Sequence, residues 1–439
     1  MKIFIESLGC PKNLTDSEEI CGNLRNAGHE IVFTEEEADA ALINTCAFLK
    51  AARDEAEQEI LRLLKLKKQG KLKKVAAAGC LVQKEGSNLL KKFPGLDSIL
   101  DIYSQESAAA AFRRGGYYRA EPLAEQDVLF APEYKARLTA AHSAYIKIAD
   151  GCDNRCAYCL IPQLRGGFRS KPAADIITEA KDLAASGAKE ISLIAQDTTH
   201  YGADLKANAA GKGIPPSLEL LLNRLVKIKS VKWWRIMYSY PERITDGLIS
   251  VIRDNPAVCH YLDMPLQHIS DNVLHKMRRI STEKTICGII DKLRSEMPDF
   301  AIRTNFIVGF PGETDKDFKR LLKFINDYEL DNVGVFEFSP EPGTEAYNMP
   351  DQVSDELKHE RAELLIEAQS KVLRRMNKKQ IGREITVLLD SPDTGRTYAD
   401  APDIDGSITL TRPIPAKTGK FIKAKIVQAD GYSKLAERI

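Results

Sequence analysis

Three cysteines that lie close together are the feature of this sequence with the clearest chemical meaning. Cys152, Cys156 and Cys159 fall within the nine-residue stretch Gly151–Cys159. Cysteine thiolates are the usual ligands of iron–sulfur clusters, and a four-iron cluster takes four of them. A cluster bound by only three cysteines keeps one iron open for a small molecule. The stretch therefore predicts a cluster that binds a substrate or cofactor directly.

Two other uses of these cysteines fit the sequence less well. The chain has nine cysteines, an odd number, and most are scattered singly, which argues against a disulfide framework. A structural zinc site would need a second Cys/His pair at a fixed spacing. His142 and His200 do not provide that pair. The sequence therefore favours an iron–sulfur cluster as the use of these cysteines.

A second set of three cysteines follows predicted strands. Cys10, Cys46 and Cys80 each come directly after a short apolar stretch. The carboxyl ends of parallel strands share one edge of a sheet, where ligands bind, so the three thiols should converge and hold a second cluster. The alternative, buried cysteines that pack as small hydrophobic residues, stays open from the pattern alone. We interpret the remaining three cysteines as such packing residues; they are Cys21, Cys259 and Cys287.

Alternating strand and helix patterns predict an α/β chain of three domains. Residues 1–116 should form a doubly wound parallel sheet, because strands and helices alternate along them. Residues 117–140 should connect it to an incomplete (β/α)6 barrel at 141–375, whose first strand runs into the cysteine loop. Residues 376–439 should form a small antiparallel β-barrel, because short alternating stretches are separated there by proline and glycine.

The N-terminal elements position Cys10, Cys46 and Cys80. We expect a helix that begins near Thr15 or Asp16 and a single helix at 84–92. The predicted strands are at 2–9, 29–33, 39–45, 74–79 and 97–100.

Polar residues at strand ends of the barrel are further candidates for the site. Gln196 ends the second predicted strand and His268 follows the fourth, where His268 could take part in proton transfer. Arg278 and its neighbour Arg279 follow a helix and could meet a carboxylate. For each of them, a surface hydrogen bond or a solvated helix end is the alternative.

Composition limits the classes of function. The chain has 63 Lys and Arg against 62 Asp and Glu, so it lacks the basic footprint that is typical of nucleic-acid-binding proteins. No apolar run is long enough to span a membrane, and the N-terminus does not look like a secretory signal. We therefore expect a cytoplasmic protein, whose cysteines stay reduced.

The motifs together resemble the radical S-adenosylmethionine (SAM) methylthiotransferases over the whole chain. In this family an N-terminal cluster domain, a radical SAM barrel and a C-terminal TRAM domain follow in this order. The matching segments are Leu8–Asn13, Asn44–Cys46, Gly79-Cys80, Gly151–Cys159, Ile161-Pro162 and Arg165-Gly166.

The resemblance implies two 4Fe–4S clusters. Cys152, Cys156 and Cys159 would hold the cluster that binds and cleaves SAM, and Cys10, Cys46 and Cys80 would hold an auxiliary cluster that supplies sulfur. The open irons of both clusters would face one cavity. Tyr158 matches the aromatic position that packs on adenine, and Gly309 and Pro311 match the segment that lines the SAM pocket. Gln196 and Arg278 are weaker candidates for SAM contacts.

Within the family, two segments resemble the RimO branch, which modifies an aspartate of small-subunit ribosomal protein S-twelve (uS12). They are Pro265–Ser270 and the C-terminal residues Gly395–Thr397 with Asp400–Gly406, where Asp403 replaces the more frequent glutamate. Residues 376–439 carry 11 basic and 8 acidic side chains, a mild charge for an RNA-binding barrel.

The resemblance also implies partners and alternatives. The partners would be uS12 or the small ribosomal subunit, a low-potential electron donor such as a flavodoxin, and a sulfur source, and we expect a monomer. A MiaB-like tRNA methylthiotransferase is the alternative enzyme. An iron–sulfur electron carrier or an RNA-binding accessory protein is the alternative without catalysis.

Overall fold

The computed structural model describes residues 1–120, 136–205, 216–415 and 417–439. Much of the predicted connecting region 117–140 lies outside these residues. Contacts divide the chain into two compact units. The first comprises Met1–Thr139, Asp150–Asn154 and Cys159–Glu179, and the second comprises Ala140–Ala149, Arg155–Tyr158 and Ala180–Ile439.

The first unit is built on a six-stranded parallel sheet with the order β2-β1-β3-β4-β5-β6. The central strands are apolar and buried, as expected where helices cover both faces of a parallel sheet. Strand order reverses between β1 and β3, which makes the carboxyl edge there a topological switch point. The strands are β1 (Lys2–Ser7), β2 (Glu30–Val32), β3 (Ala40–Thr45), β4 (Lys74–Gly79), β5 (Ser98–Leu100) and β6 (Gly116–Tyr118).

Helices pack on both faces of this sheet, and three details differ from prediction. Helix α1 begins at Pro11 rather than near Thr15, because proline is favoured in a first helical turn and Cys10 takes the N-cap position. The helix predicted at 84–92 is two short helices, and β6 falls where we predicted a connection. The helices are α1 (Pro11–Asn26), α2 (Lys50–Lys68), α3 (Cys80–Glu85), α4 (Asn88–Lys92), α5 (Ala108–Arg114) and α6 (Ile161–Arg165).

The second unit contains a six-stranded parallel sheet with the order β14-β13-β12-β11-β10-β7. Helices separate its strands in sequence, so the predicted incomplete (β/α)6 barrel is confirmed. Its strands are β7 (Ser143–Lys147), β10 (Glu190–Ile194), β11 (Trp233–Ile236), β12 (Val258–Asp263), β13 (Ala301–Val308) and β14 (Asn332–Glu337). Its helices are α8 (Leu218–Leu225), α9 (Asp246–Asp254), α10 (Asp271–Lys276), α11 (Glu283–Glu296), α12 (Asp315–Tyr328) and α13 (Asp355–Lys378).

The remaining elements lie outside the two six-stranded sheets. The two-stranded sheet consists of β8 (Ala149–Asp150) and β9 (Arg169–Ser170), and α7 (Ala173–Ala185) runs from the first unit into the second. Single turns of 3-10 helix occur at Glu35–Glu37, Gln105–Ser107, Thr198–His200, Pro241–Arg243 and Ala346–Asn348.

The C-terminal residues of the second unit form a closed five-stranded barrel with the order β15-β16-β17-β19-β18. Mostly small and aliphatic side chains fill its interior. The predicted small β-barrel is confirmed, but one of its strand pairs, β17 with β19, is parallel rather than antiparallel. Its strands are β15 (Glu384–Leu389), β16 (Thr394–Arg396), β17 (Ser407–Leu410), β18 (Phe421–Asp430) and β19 (Ser433–Arg438).

The β16–β17 connection packs against the amino ends of the parallel strands in the second unit. Arg396 Nη1 donates to buried Glu190, the first residue of β10, at 2.6 Å. Tyr261 of β12 donates its hydroxyl to Asp405 Oδ2 at 2.7 Å. The segment that resembles the RimO branch therefore has a structural role, because it covers the end of the sheet opposite to the edge where parallel-strand enzymes carry their chemistry. No helix among the described residues is long and apolar enough to cross a membrane.

Candidate metal centres

Cys10, Cys46 and Cys80 converge at the carboxyl edge of the first sheet, as their positions after β1, β3 and β4 predicted. Cys80 is buried and the other two are half-buried. The thiols are near enough to one another that charge on Cys10 and on Cys46 raises the pKa of Cys80. The switch point of the sheet therefore presents three soft ligands to one place.

Two glycines allow this close approach. Gly9 precedes Cys10 with φ +92°, and a Cβ atom there would lie 2.8 Å from Cys46 Cβ and 3.2 Å from its Sγ. Gly79 precedes Cys80 with φ +94°, and a Cβ atom there would overlap the side chain of Asn44. Only glycine adopts such backbone conformations routinely. The Gly-Cys pairs therefore bring the strand ends together.

Asparagine side chains tie these strand ends to helix α1. Asn13 Nδ2 donates to the carbonyls of Leu8 and Thr45, each at 3.0 Å. Asn44 Nδ2 donates in turn to the Asn13 carbonyl at 2.8 Å. Because these groups are largely buried and hydrogen-bonded, they hold the backbone around Cys10 and Cys46 in one arrangement.

Three thiols at one sheet edge are the ligand set of an iron–sulfur cluster that keeps one iron open. Burial raises the pKa of Cys80 to about 11 and also raises that of Cys46, so metal binding would have to displace protons here. Among the described residues, no three His, Cys, Asp or Glu side chains meet closely enough to hold one ion. Zinc would draw its thiolates together through bonds of about 2.3 Å, whereas cluster ligands bind separate irons and stand further apart.

Each thiol of the cysteine loop at 151–159 has a nitrogen donor near it. Asn154 Nδ2 lies 3.5 Å from Cys152 Sγ, and the backbone N–H of Ile161 lies 3.4 Å from Cys159 Sγ. Arg279 Nη1 lies 4.0 Å from Cys156 Sγ. Donors to sulfur stabilise thiolate ligands and adjust the redox potential of a cluster. The loop is therefore suited to an iron–sulfur cluster.

Arg279, rather than Arg278, is the buried arginine of this region. Its guanidinium stacks 4.1 Å from the centre of the Tyr240 ring, and Nη2 donates to the Pro265 carbonyl at 3.0 Å. Arg278 is 53% exposed and pairs with Glu345 at 2.7 Å. The geometry favours Arg279 for any contact with a ligand of the loop.

Tyr158 borders an apolar cluster of the second unit. Its ring meets Phe310 edge-on, with the ring centres 6.4 Å apart. The buried members of the cluster are Ala157, Val273, Met277, Phe310, Phe338 and Ala346. An apolar surface beside the cysteine loop is suited to the flat face of a nucleobase.

The turn that contains Gly309 and Pro311 is fixed by the carboxylate of Glu313. Glu313 Oε2 accepts from the Gly309 N–H at 2.7 Å, and Oε1 accepts from Arg361 Nη1 at 2.9 Å. Burial raises the pKa of Glu313 to about 7, although Arg361 opposes this shift. Pro311 is itself buried. Glu313 and Arg361 were missed from the sequence because one acidic residue after a glycine turn has no distinctive signal.

Two predicted strand-end residues differ in their surroundings. Gln196 lies two residues after the end of β10 and is half-buried, in agreement with a place at the carboxyl edge. His268 is fully buried, and its Nδ1 accepts the Ser270 N–H at 2.9 Å. Burial lowers the pKa of His268 to about 3, so its ring stays neutral. The ring is shielded and serves as a local acceptor, and our suggestion that His268 takes part in proton transfer stays a prediction.

Arg165, in α6, contacts both cysteine-bearing parts of the first unit. It is 2% exposed and pairs with Asp16 at 2.8 Å and with Asp150 at 3.1 Å. Its Nη2 also lies 3.7 Å from Cys80 Sγ. This arginine belongs to a motif of the sequence that indicates no role for it, since only the fold brings it to Cys80.

Three family profiles match consecutive parts of the chain. An uncharacterized protein family, UPF0004, matches residues 2–101, the Radical SAM superfamily matches 146–325, and the TRAM domain matches 381–439. Their order agrees with the order of the parallel sheet, the incomplete barrel and the closed barrel.

Curated relatives match from end to end. A "Ribosomal protein uS12 methylthiotransferase RimO" of Elusimicrobium minutum is 49% identical over 438 residues, which cover 100% of both chains. Proteins of the same name from Desulforamulus reducens and Geobacter sulfurreducens are each 41% identical and cover at least 98% of both chains.

Among solved structures, the radical S-adenosylmethionine methyltransferase TsrM from Kitasatospora setae is similar in fold. With cobalamin and a 4Fe-4S cluster bound, it gives a TM-score of 0.54 at 14% identity, over 79% of this chain and 76% of that one. With tryptophan and a SAM analogue bound, it gives 0.54 at 13% identity, over 76% and 72%. At these identities the likeness concerns the fold alone.

Proposed function

This chain belongs to the RimO family of radical SAM methylthiotransferases, and from that premise we propose that it methylthiolates an aspartate of ribosomal protein uS12. The product would carry a methylthio group on the β-carbon of that aspartate. SAM would serve both as the radical source and as the methyl donor. The observation that carries the proposal is the convergence of Cys10, Cys46 and Cys80 at one sheet edge in a chain that also has the Gly151–Cys159 loop.

The two cysteine sets would have different tasks. Cys152, Cys156 and Cys159 would hold a 4Fe–4S cluster that supplies the electron for SAM cleavage, while a second cluster on Cys10, Cys46 and Cys80 supplies sulfur. The residues around them orient the ligands. Asn154, Ile161 and Arg279 donate N–H groups to the loop thiols, which orients these thiols as ligands.

Several residues of the second unit would bind SAM. Tyr158 offers an apolar face for adenine, and the turn at Gly309 and Pro311 presents backbone whose shape is fixed by Glu313. Gln196 stands at the same end of the strands. We propose Arg279 ahead of Arg278 as the cation for the SAM carboxylate, because Arg279 is buried beside Cys156 whereas Arg278 pairs with Glu345 at the surface.

The protein substrate is favoured over tRNA by family membership and by charge. Full-length relatives at 40–49% identity carry the uS12 name, and the C-terminal barrel is only mildly basic. We further propose that the enzyme acts in the cytoplasm as a monomer, with a low-potential donor such as a flavodoxin and a separate sulfur source. The predicted domain boundaries at 116, 140 and 375 stay part of this proposal.

Mass spectrometry of the substrate tests the proposed reaction. The anaerobically reconstituted, reduced chain is incubated with SAM and either uS12 or unmodified tRNA. We expect uS12 to gain the mass of one methylthio group in place of a hydrogen, located to a single aspartate. Omission of SAM should abolish the gain. Modification of tRNA without modification of uS12 would show that the MiaB-like alternative is correct.

A further inference from the structure

The two cysteine-bearing segments of the first unit meet at the dipeptide Arg165-Gly166. Through its side chain, Arg165 lies 3.7 Å from the Cys80 thiol. Through its carbonyl, Gly166 accepts the backbone N–H of Cys152 at 3.1 Å. One short segment therefore contacts a ligand of each proposed cluster.

The guanidinium of Arg165 has no freedom to turn away from Cys80. Nη1 donates to both carboxylate oxygens of Asp150, at 3.2 and 3.1 Å. Nη2 donates to Asp16 Oδ2 at 2.8 Å and to Asn13 Oδ1 at 3.0 Å. Only a planar, five-donor group satisfies this set of acceptors, and the set aims Nη2 at the sulfur.

The backbone of Arg165 is fixed as well. Tyr103 donates its hydroxyl to the Arg165 carbonyl at 2.6 Å, and Arg169 Nη2 donates to the same carbonyl at 3.2 Å. The Arg169 guanidinium also stacks 5.3 Å from the centre of the Tyr103 ring. The position of Arg165 is thus determined at both ends of the residue.

We propose that Arg165 is a positioning residue that sets the reduction potential of the auxiliary cluster through its N–H donation to Cys80. This inference rests on the proposed function, since it requires a cluster on Cys10, Cys46 and Cys80. A hydrogen bond to a ligand sulfur withdraws negative charge from it and stabilises the reduced cluster. Asp16 and Asn13 accept from the same nitrogen, which has two N–H groups, and so limit the effect.

The competition predicts shifts of opposite sign for two substitutions. Arg165→Lys keeps the positive charge but replaces the forked guanidinium with a single ammonium group. One ammonium cannot donate to Asp16, Asp150 and Cys80 together, so the reduction potential of the auxiliary cluster should fall. Asp16→Asn removes the strongest competitor and a nearby negative charge, so the potential should rise. A merely structural role predicts loss of cluster in both cases and no opposite shifts.

The experiment is a redox titration of the auxiliary cluster alone. The full chain with Cys152, Cys156 and Cys159 changed to Ala is reconstituted, and its EPR signal is followed against potential. We expect Arg165→Lys to lower the equilibrium constant of one-electron reduction about tenfold, a shift of about 59 mV. Asp16→Asn should shift the midpoint upward. The matched control Arg113→Lys, which changes an exposed arginine near Lys74 at the amino end of β4, should leave the midpoint unchanged.

The outcomes separate the two proposals. If the parent of this series holds no iron, the auxiliary cluster and with it the proposed function fail. If it holds about four irons but Arg165→Lys titrates at the same potential as Arg113→Lys, the inference about Arg165 is wrong. If Arg165→Lys cannot hold the cluster, Asp16→Asn decides alone, and an unchanged or lowered midpoint overturns the inference.

Discussion

Nitrogen donors accompany the thiols of both cysteine sets. Nitrogen donors of Asn154, Ile161, Arg279 and Arg165 lie within 4.0 Å of four sulfurs, and backbone N–H groups donate to a fifth, that of Cys46. Such partners keep ligands oriented and adjust cluster chemistry. At the scale of single residues, the site is therefore defined by its donors as much as by its cysteines.

His268 gives a prediction about the pH dependence of stability. Its pKa is lowered by burial from about 6.5 to about 3, so the folded chain binds fewer protons than the unfolded chain between these values. Stability is therefore lost as the pH falls below 6.5. This residue should account for about 2 kcal/mol of lost stability between pH 7.5 and pH 5. In His268→Asn, which keeps an acceptor for the Ser270 N–H, that loss should be absent.

Urea unfolding at pH 7.5 and pH 5 measures this difference. His275→Asn is the matched control, since His275 is exposed on α10, and it should follow the parent. If parent and His268→Asn lose the same stability between the two pH values, His268 is not the buried neutral ring described above.

At the scale of elements, the strand ends could be predicted and the side-chain network could not. Cys10, Cys46 and Cys80 were placed correctly because parallel strands share a carboxyl edge, a rule that depends only on strand direction. Arg165 was not assigned because its partners Asp16 and Cys80 are about 150 and 85 residues away in sequence. Local patterns carry no signal for such contacts.

The same limit explains two other differences. The start of α1 was predicted four residues too late. A cysteine followed by a proline fits both a loop that presents a metal ligand and the first turn of a helix, so Cys10 and Pro11 did not distinguish the two. In the sequence, the segment Asp400–Gly406 only resembled a motif of the RimO branch. Its packing against the amino ends of the sheet strands follows from the contacts of Asp405 with Tyr261 and Arg303, which are distant in sequence.

That packing gives a prediction for the β16–β17 connection. Asp405 accepts from Tyr261 at 2.7 Å, from the Ala401 N–H at 2.9 Å and from Arg303 Nε at 3.2 Å. In Asp405→Asn, an NH2 group replaces one carboxylate oxygen and then faces another hydrogen-bond donor. The free energy of unfolding should therefore fall by about 2–4 kcal/mol.

Urea denaturation of parent and variants measures this loss. Asp403→Asn is the control, because Asp403 is exposed and has φ +60°, a conformation that asparagine tolerates. Its stability should stay within about 0.5 kcal/mol of the parent. Equal effects of the two substitutions would mean that Asp405 does not anchor the connection.

At the scale of the whole molecule, the two cysteine sets differ in how the chain supplies them. Cys10, Cys46 and Cys80 follow three different strands of one sheet, so they are assembled only when that sheet folds. Cys152, Cys156 and Cys159 come from one short loop, and the chain between them fixes their spacing. The arrangement of both open irons around one cavity stays a prediction.

This difference leads to a prediction about the separate loss of each set. Changing Cys152, Cys156 and Cys159 to Ala should leave about four of about eight irons and abolish cleavage of SAM to 5′-deoxyadenosine. Changing Cys10, Cys46 and Cys80 to Ala should also leave about four irons, but SAM cleavage should continue without methylthiolation of uS12. Iron analysis, chromatography of 5′-deoxyadenosine and the mass of uS12 measure the three quantities.

Replacement of Cys21, Cys259 and Cys287 by Ala is the matched control. Cys21 and Cys259 are buried and Cys287 is half-buried, and we interpret all three as packing residues, so iron content should stay near eight and methylthiolation should continue. Because this control removes the same number of thiols, it separates loss of a ligand from loss of cysteine in general. If removal of Cys10, Cys46 and Cys80 left methylthiolation intact, the sulfur would have to come from elsewhere, and the converging thiols would be packing residues after all.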